Sequence, residues 1–161
     1  MVKKSFTHVD RGGKVRMVDV SKKRATRRSA EASCVVLTTG DATTLAHDAQ
    51  GVEPLHAARI AGIQAAKQTS TLIPLCHPLN LDDVNVEIEA NDRGFSVTTS
   101  VVTIHHTGVE MEALTACTVA ALSLLNALLE IDPNASIQEV ALMRKSGGRS
   151  GDWGRLVSPS T

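Results

Sequence analysis

The sequence predicts an α+β fold, an antiparallel sheet with helices packed on one face. Three observations carry this expectation. Val84, Val86 and Ile88 alternate with Asn85, Glu87 and Glu89, and after a turn at Asn91–Gly94 the alternation resumes from Phe95 to Thr103. That is the pattern of a hairpin with one buried face. A long stretch beginning at Leu114 repeats instead at the helical period. Strand-like and helix-like segments also follow one another without the strict βαβ alternation that builds a parallel sheet.

Residues 1–16 are polar and contain glycine, so the first part, about 1–14, is expected to be mobile. Arg16 to Val20 reads as a short strand, followed by a basic cluster of Lys22, Lys23, Arg24, Arg27 and Arg28. Ala32 to Thr38, with Cys34, Val35, Val36 and Leu37, reads as a buried strand. Thr43 to Ala49 forms a short helix and Asp48 to Pro54 a turn. The Ala-rich run from Leu55 to about Thr69, with Gly62 inside it, forms a longer helix. Pro74 and Pro78 keep Leu72 to Asn80 out of helix and mark an ordered loop. In the later helix, Leu114, Cys117, Ala121, Leu122, Leu125, Leu128 and Leu129 form the apolar stripe, and Asp132-Pro133-Asn134 ends it. Ile137 to Met143 is a last strand. The Gly-rich end, about 146–161, is expected to be mobile, and the whole of 1–161 is expected to form a single domain.

Composition narrows the function classes. The chain has 17 basic and 17 acidic residues, which argues against a general binder of nucleic acid or anionic membranes. Aromatic residues make up only 2%, leaving few platforms on which single-stranded bases could stack. The three cysteines, Cys34, Cys76 and Cys117, are far apart and form no CxxC pair, as expected of a reducing compartment. No apolar leader stands at the N-terminus and no apolar run approaches a membrane span, so a cytoplasmic protein is expected. A core of Ala, Val, Leu and Ile buries little area per side chain. Such a chain gains from covering more surface in an oligomer.

Three short constellations carry chemistry. His77, between Cys76 and Pro78, is an imidazole able to donate to a phosphate or to move a proton. A lone histidine in a Pro-flanked loop is also a common structural element. Glu110 and Glu112 precede the long helix. Paired carboxylates divide acid and base roles when their environments differ, or accept the N–H groups of a guanine-like edge. Equally, acidic residues favour a helix N-terminus. Lys145, Arg149 and Arg155 stand among glycines in KSGGRSGDWGR, a cationic loop able to wrap a polyphosphate or simply to trail as a tail. The Lys22–Arg28 cluster has the same two readings, phosphate contact or solvated face.

Taken in order, MVDV at 17–20, ARIAGIQAAK at 58–67, LIPLCHPL at 72–79, TGVEMEALTA at 107–116, VAAL at 119–122 and KSGGRSGDW at 145–153 span nearly the whole chain. In these residues it resembles the cyclic pyranopterin monophosphate synthase family of molybdenum cofactor biosynthesis. The resemblance implies a ferredoxin-like α+β fold and a homohexamer, a trimer of dimers, with the active site between subunits. It implies a lyase that converts a cyclised dihydro-GTP, a purine triphosphate-derived substrate, into cyclic pyranopterin monophosphate with release of pyrophosphate. No metal or organic cofactor is implied, nor a nucleic-acid or membrane partner. Leu75, Cys76, His77, Glu110, Met111, Glu112, Arg28 and Arg149 fall at substrate-binding positions of the family, and His77 and Lys145 at catalytic ones.

Some positions depart from the family pattern. Asn126, in SLLNALLE, stands where the family has a catalytic Asp, and Leu129 where it has a catalytic Lys three residues on. Counted back from Ala58-Arg59, Gly51 stands at a further catalytic Lys, or Gln50 if the loop shifts by one, and Glu53 stands where that loop has Asp. His106 replaces a position that is often Lys. An amide cannot serve as a carboxylate base, and loss of one acid–base group typically costs about 10²–10⁴ in rate. These departures set an alternative beside the synthase: a catalytically impaired paralogue that binds a nucleotide or supplies half-sites to an oligomer mixed with an active relative.

Overall fold

The computed structural model describes residues 8–9, 12–42, 44 and 53–156. Its centre is the strand β1 (Thr26–Leu37), on which Ala30, Ala32, Cys34 and Val36 all point to one face and are buried. Two-residue periodicity places these small side chains under the helices. The hairpin follows the expected register. β2 (Asp83–Asn91) pairs with β3 (Gly94–His105), and β3 pairs in turn with β1. Phe95, Val97, Thr99, Val101 and Thr103 of β3 continue the buried face. β4 (Ser136–Ser146) lies on the other side of β1, and β5 (Trp153–Gly154) pairs with Arg144 and Lys145 of β4. The sheet order is β2-β3-β1-β4-β5, every neighbouring pair antiparallel.

α1 (Glu53–Lys67), α2 (Thr69–Leu72) and α3 (Glu110–Leu128) complete the described elements, with α1 and α3 packed together on one face of the sheet. This is the α+β, ferredoxin-like arrangement. α1 and α3 approach closely at Gly62. A Cβ built there would lie 2.9 Å from the Ala116 carbonyl oxygen and 3.0 Å from Ala120 Cβ. By length and composition α3 would suit a membrane span. Here its Ala113, Ala116, Cys117, Ala120, Ala121 and Leu124 are buried in the core.

Two expectations are corrected. Arg16 to Val20 forms no strand: Arg16 N–H donates to the His8 carbonyl at 3.0 Å beside an isolated Val9–Val15 bridge, but the pairing goes no further and the next polar groups close local turns. Ser21 N–H donates to Asp19 Oδ1 at 2.9 Å and Lys23 N–H to the Val20 carbonyl at 3.0 Å. On α3 the buried face runs through Ala113, Ala116, Cys117, Ala120, Ala121, Leu124 and Leu128, so Cys117, Ala121 and Leu128 of the expected stripe are covered, whereas Leu122 and Leu129 are exposed. The helix expected over Thr43 to Ala49 falls, apart from Thr44, outside the described residues, as do Gln50 and Gly51.

Candidate functional site

The loop between α2 and β2 is pinned against the end of β3. Thr103 Oγ1 donates to the Asn80 carbonyl at 2.6 Å, Asp82 N–H to the Val102 carbonyl at 2.9 Å, and Ile104 N–H to Asp82 Oδ2 at 2.7 Å. This carries Leu75, Cys76 and His77 to the N-terminal end of α3. On the other side, Lys145 comes from β4 just after a bulge. Glu31 of β1 faces Arg144 and the next residue, Ala32, faces Leu142, so Met143 is the extra residue. Arg144 pairs with Glu31, while Lys145 Nζ donates to Glu110 Oε1 at 2.8 Å.

Between these walls lies a groove of about 910 Å³, lined by Leu75, Cys76, His77, Met111, Glu112 and Arg149 among others. It opens into a recess of about 190 Å³ that holds Lys23, Arg28, Lys145 and Arg149. Thr107, Gly108 and Glu110 line both, so the two form one continuous site at the start of α3. One end is largely apolar and the other carries four cations, the division that a heterocycle bearing phosphates requires.

Glu112 is 4% exposed. Burial, with Glu110 adding a like charge, pushes its carboxyl up to about 7 against the pull of a backbone hydrogen bond. Burial, and then the charge of Glu112, also raises the Cys76 thiol above its usual range. Arg28 is held on one edge. Its Nε donates to the His105 carbonyl at 3.0 Å and a terminal N–H to the His106 carbonyl at 3.2 Å. A Cβ on Gly148, whose φ is +75°, would collide with the other terminal nitrogen, so glycine is required there. Burial lowers the His105 imidazole, with His106, His77 and Arg28 acting in the same direction, and its buried Nδ1 has no hydrogen-bond partner among the described residues.

The structure therefore brings together Arg28, Leu75, Cys76, His77, Glu110, Met111, Glu112, Lys145 and Arg149. It does not bring Asn126 to them. Asn126 is exposed sixteen residues further along α3 from Glu110, about 24 Å at 1.5 Å per residue, and Leu129 lies just beyond the helix end. Sequence reasoning gave Lys23 only as part of a basic cluster with two readings, phosphate contact or solvated face, and the structure lines the recess with it. It missed His105 as a neighbour of His77 and Arg28. Among the described residues, no three His, Cys, Asp or Glu side chains converge to hold a metal ion.

The α+β sheet thus carries a divided groove at the start of α3, apolar on one side and cationic on the other. The chain matches the model of the MoaC family over residues 17–148, and it belongs to that family. It is 46% identical over 156 residues to a cyclic pyranopterin monophosphate synthase of a Nocardioides species, covering 93% of this chain and 95% of that one. A cyclic pyranopterin monophosphate synthase 1 of Mycobacterium bovis is 45% identical over 158 residues, 96% of this chain and 92% of the relative. A molybdenum cofactor biosynthesis bifunctional protein of Chlorobaculum tepidum is 48% identical over 147 residues, 90% of this chain and 47% of that longer protein.

Proposed function

We propose that the chain acts in the cytoplasm as a cyclic pyranopterin monophosphate synthase in molybdenum cofactor biosynthesis, taking a cyclised dihydro-GTP and releasing pyrophosphate. The observation that carries this reading is the joining of a proton-holding carboxyl, Glu112, to a recess of four cations within one groove. Forming a cyclic monophosphate requires a hydroxyl oxygen to bond to the α-phosphorus while the bond to pyrophosphate breaks. The hydroxyl must lose its proton, and the departing pyrophosphate gains negative charge. A carboxyl that exchanges its proton near pH 7 suits the first need. Arg28, Lys145 and Arg149 suit the second, as fixed positive charge where charge develops. Lys145 is paired with Glu110, and a bound phosphate would replace the carboxylate as its partner. Leu75, Cys76, His77 and Met111 would hold the fused rings.

The test is formation of pyrophosphate and pterin from the cyclised substrate by purified protein. A rate no faster than buffer, where a full-complement relative turns over, would sink the synthase reading. A second reading rests on Asn126 and Leu129, an amide and an apolar side chain exposed far from the groove in the same chain. In a homohexamer with sites between subunits, that end of α3 would face the groove of another copy and bring it no charge. The chain then serves as a nucleotide-binding or partner subunit in a mixed oligomer, where an active relative supplies the missing groups.

A further inference from the structure

We propose that His106 is a positioning residue for the cationic recess, tying the loop that carries Lys23 to the turn that holds Arg28. The inference rests on reading the recess as the phosphate end of the site.

His106 Nδ1 lies 2.6 Å from the carbonyl oxygen of Lys23. A carbonyl only accepts, so Nδ1 carries the proton and donates it. Close to it, Ser21 N–H donates to Asp19 and Lys23 N–H to the Val20 carbonyl, bonds that shape the loop locally. The imidazole thus ties the Lys23 backbone, in the loop ahead of β1, to the end of β3. The same residue acts a second time through its backbone, where its carbonyl accepts from Arg28 at 3.2 Å beside the His105 carbonyl at 3.0 Å. Two bonds on one edge fix the plane of the guanidinium. Lys23 lines both recess and groove, and Arg28 lines the recess. One residue therefore sets the backbone of one cation and the side chain of another. Such a device lowers the entropy lost when an oligophosphate binds, because the cations are already in place.

The ring of His105 stacks edge-on against that of His106, with centroids 5.1 Å apart and planes at 75°. That contact limits rotation of the His106 ring and keeps Nδ1 aimed at Lys23.

The experiment uses the full chain and inorganic triphosphate as the probe, read by calorimetry. His106→Phe keeps the ring and removes the N–H, and is expected to weaken binding about tenfold or more. His106→Asn places an amide N–H near the position of Nδ1 and is expected to recover most of the loss. Lys23→Ala should weaken binding too, and the double variant Lys23→Ala/His106→Phe should lose little more than either single change, because both act through one cation. If the Phe variant does not fold, His106→Ala replaces it in the same cycle. Wild-type affinity in His106→Phe, an Asn variant as weak as Phe, or additive losses in the double variant would each overturn the proposal. Triphosphate carries no base and undergoes no pterin chemistry. A chain that binds it in this His106-dependent way yet forms no pterin supports the proposal and removes the synthase reading instead.

Discussion

Glu112 shows how a single carboxyl sets both stability and chemistry. Its proton is held up to about 7 chiefly by burial, against 4.5 for an ordinary glutamate. Between those values the unfolded chain has released a proton that the folded chain still holds. Folded stability from this group therefore falls as pH rises through the window and levels off above it. At about 1.4 kcal/mol per unit, the full cost approaches about 3 kcal/mol. Glu112→Gln removes the charge and with it the cost. Thermal denaturation should find the variant more stable than the parent at about pH 8 and matched to it at about pH 4, and a gap that stays constant across the range would contradict this origin. The same variant should lower turnover by about 10²–10⁴, since an amide cannot exchange the proton. Glu110 and Glu112 were legible in the sequence as a chemically loaded pair because adjacent side chains announce themselves. Their division was not, because it comes from which face of α3 is covered. His105 and His106 left a weaker trace, as they hold Arg28 through backbone carbonyls that any residue would supply.

At the scale of elements, periodicity identified the β2–β3 hairpin, the helix α3 and most of its buried side, where Cys117, Ala121 and Leu128 are covered and Leu114 and Leu125 pack against the core, but placed that side too far toward Leu122 and Leu129. Leu122 was expected inside yet is 55% exposed, while Ala113, Ala116 and Ala120, outside the expected stripe, are covered. The reason is the close approach of α1 at Gly62, which leaves room between the helices only for methyl groups. Gly62→Ala tests this. Helix propensity alone favours alanine by about 1 kcal/mol. The added Cβ would meet the Ala116 carbonyl oxygen at 2.9 Å, a backbone atom that cannot step aside without moving α3. Overpacking of this kind typically costs about 1–3 kcal/mol, so chemical denaturation should show net destabilisation. A variant more stable than the parent would mean that α1 and α3 pack less tightly than described. Likewise β5 escaped notice, because two residues after a Gly-rich loop carry no periodic signal. Its pairing with Arg144 and Lys145 sits beside the recess all the same.

The whole molecule has two ends of different chemistry joined by α3. At the helix start, the groove gathers Glu110, Glu112, His77, Lys145, Arg28 and Arg149. Near its finish, Asn126 and Leu129 present an amide and an apolar side chain to solvent, with Leu122 exposed one to two turns before them. If sites form between copies, each groove is completed by the far end of a neighbour, and the two ends of this chain can be tested separately. Restoring charge with Asn126→Asp, Leu129→Lys and Gly51→Lys should raise turnover of the self-assembled chain by about 10²-fold or more, the scale of one recovered acid–base group. Complementation asks the converse. A full-complement relative whose groove lysine, matching Lys145, has been replaced by methionine should be inactive alone. Mixed with this chain and reassembled, it should regain pyrophosphate release, because its intact helix end meets this chain's intact groove. Lys145→Met in this chain should abolish that recovery. Mixed oligomers that assemble, as judged by native mass spectrometry, yet stay silent would show that the groove itself is incompetent. Activity of this chain alone at the relative's rate would show that Asn126 and Leu129 stand outside the chemistry altogether.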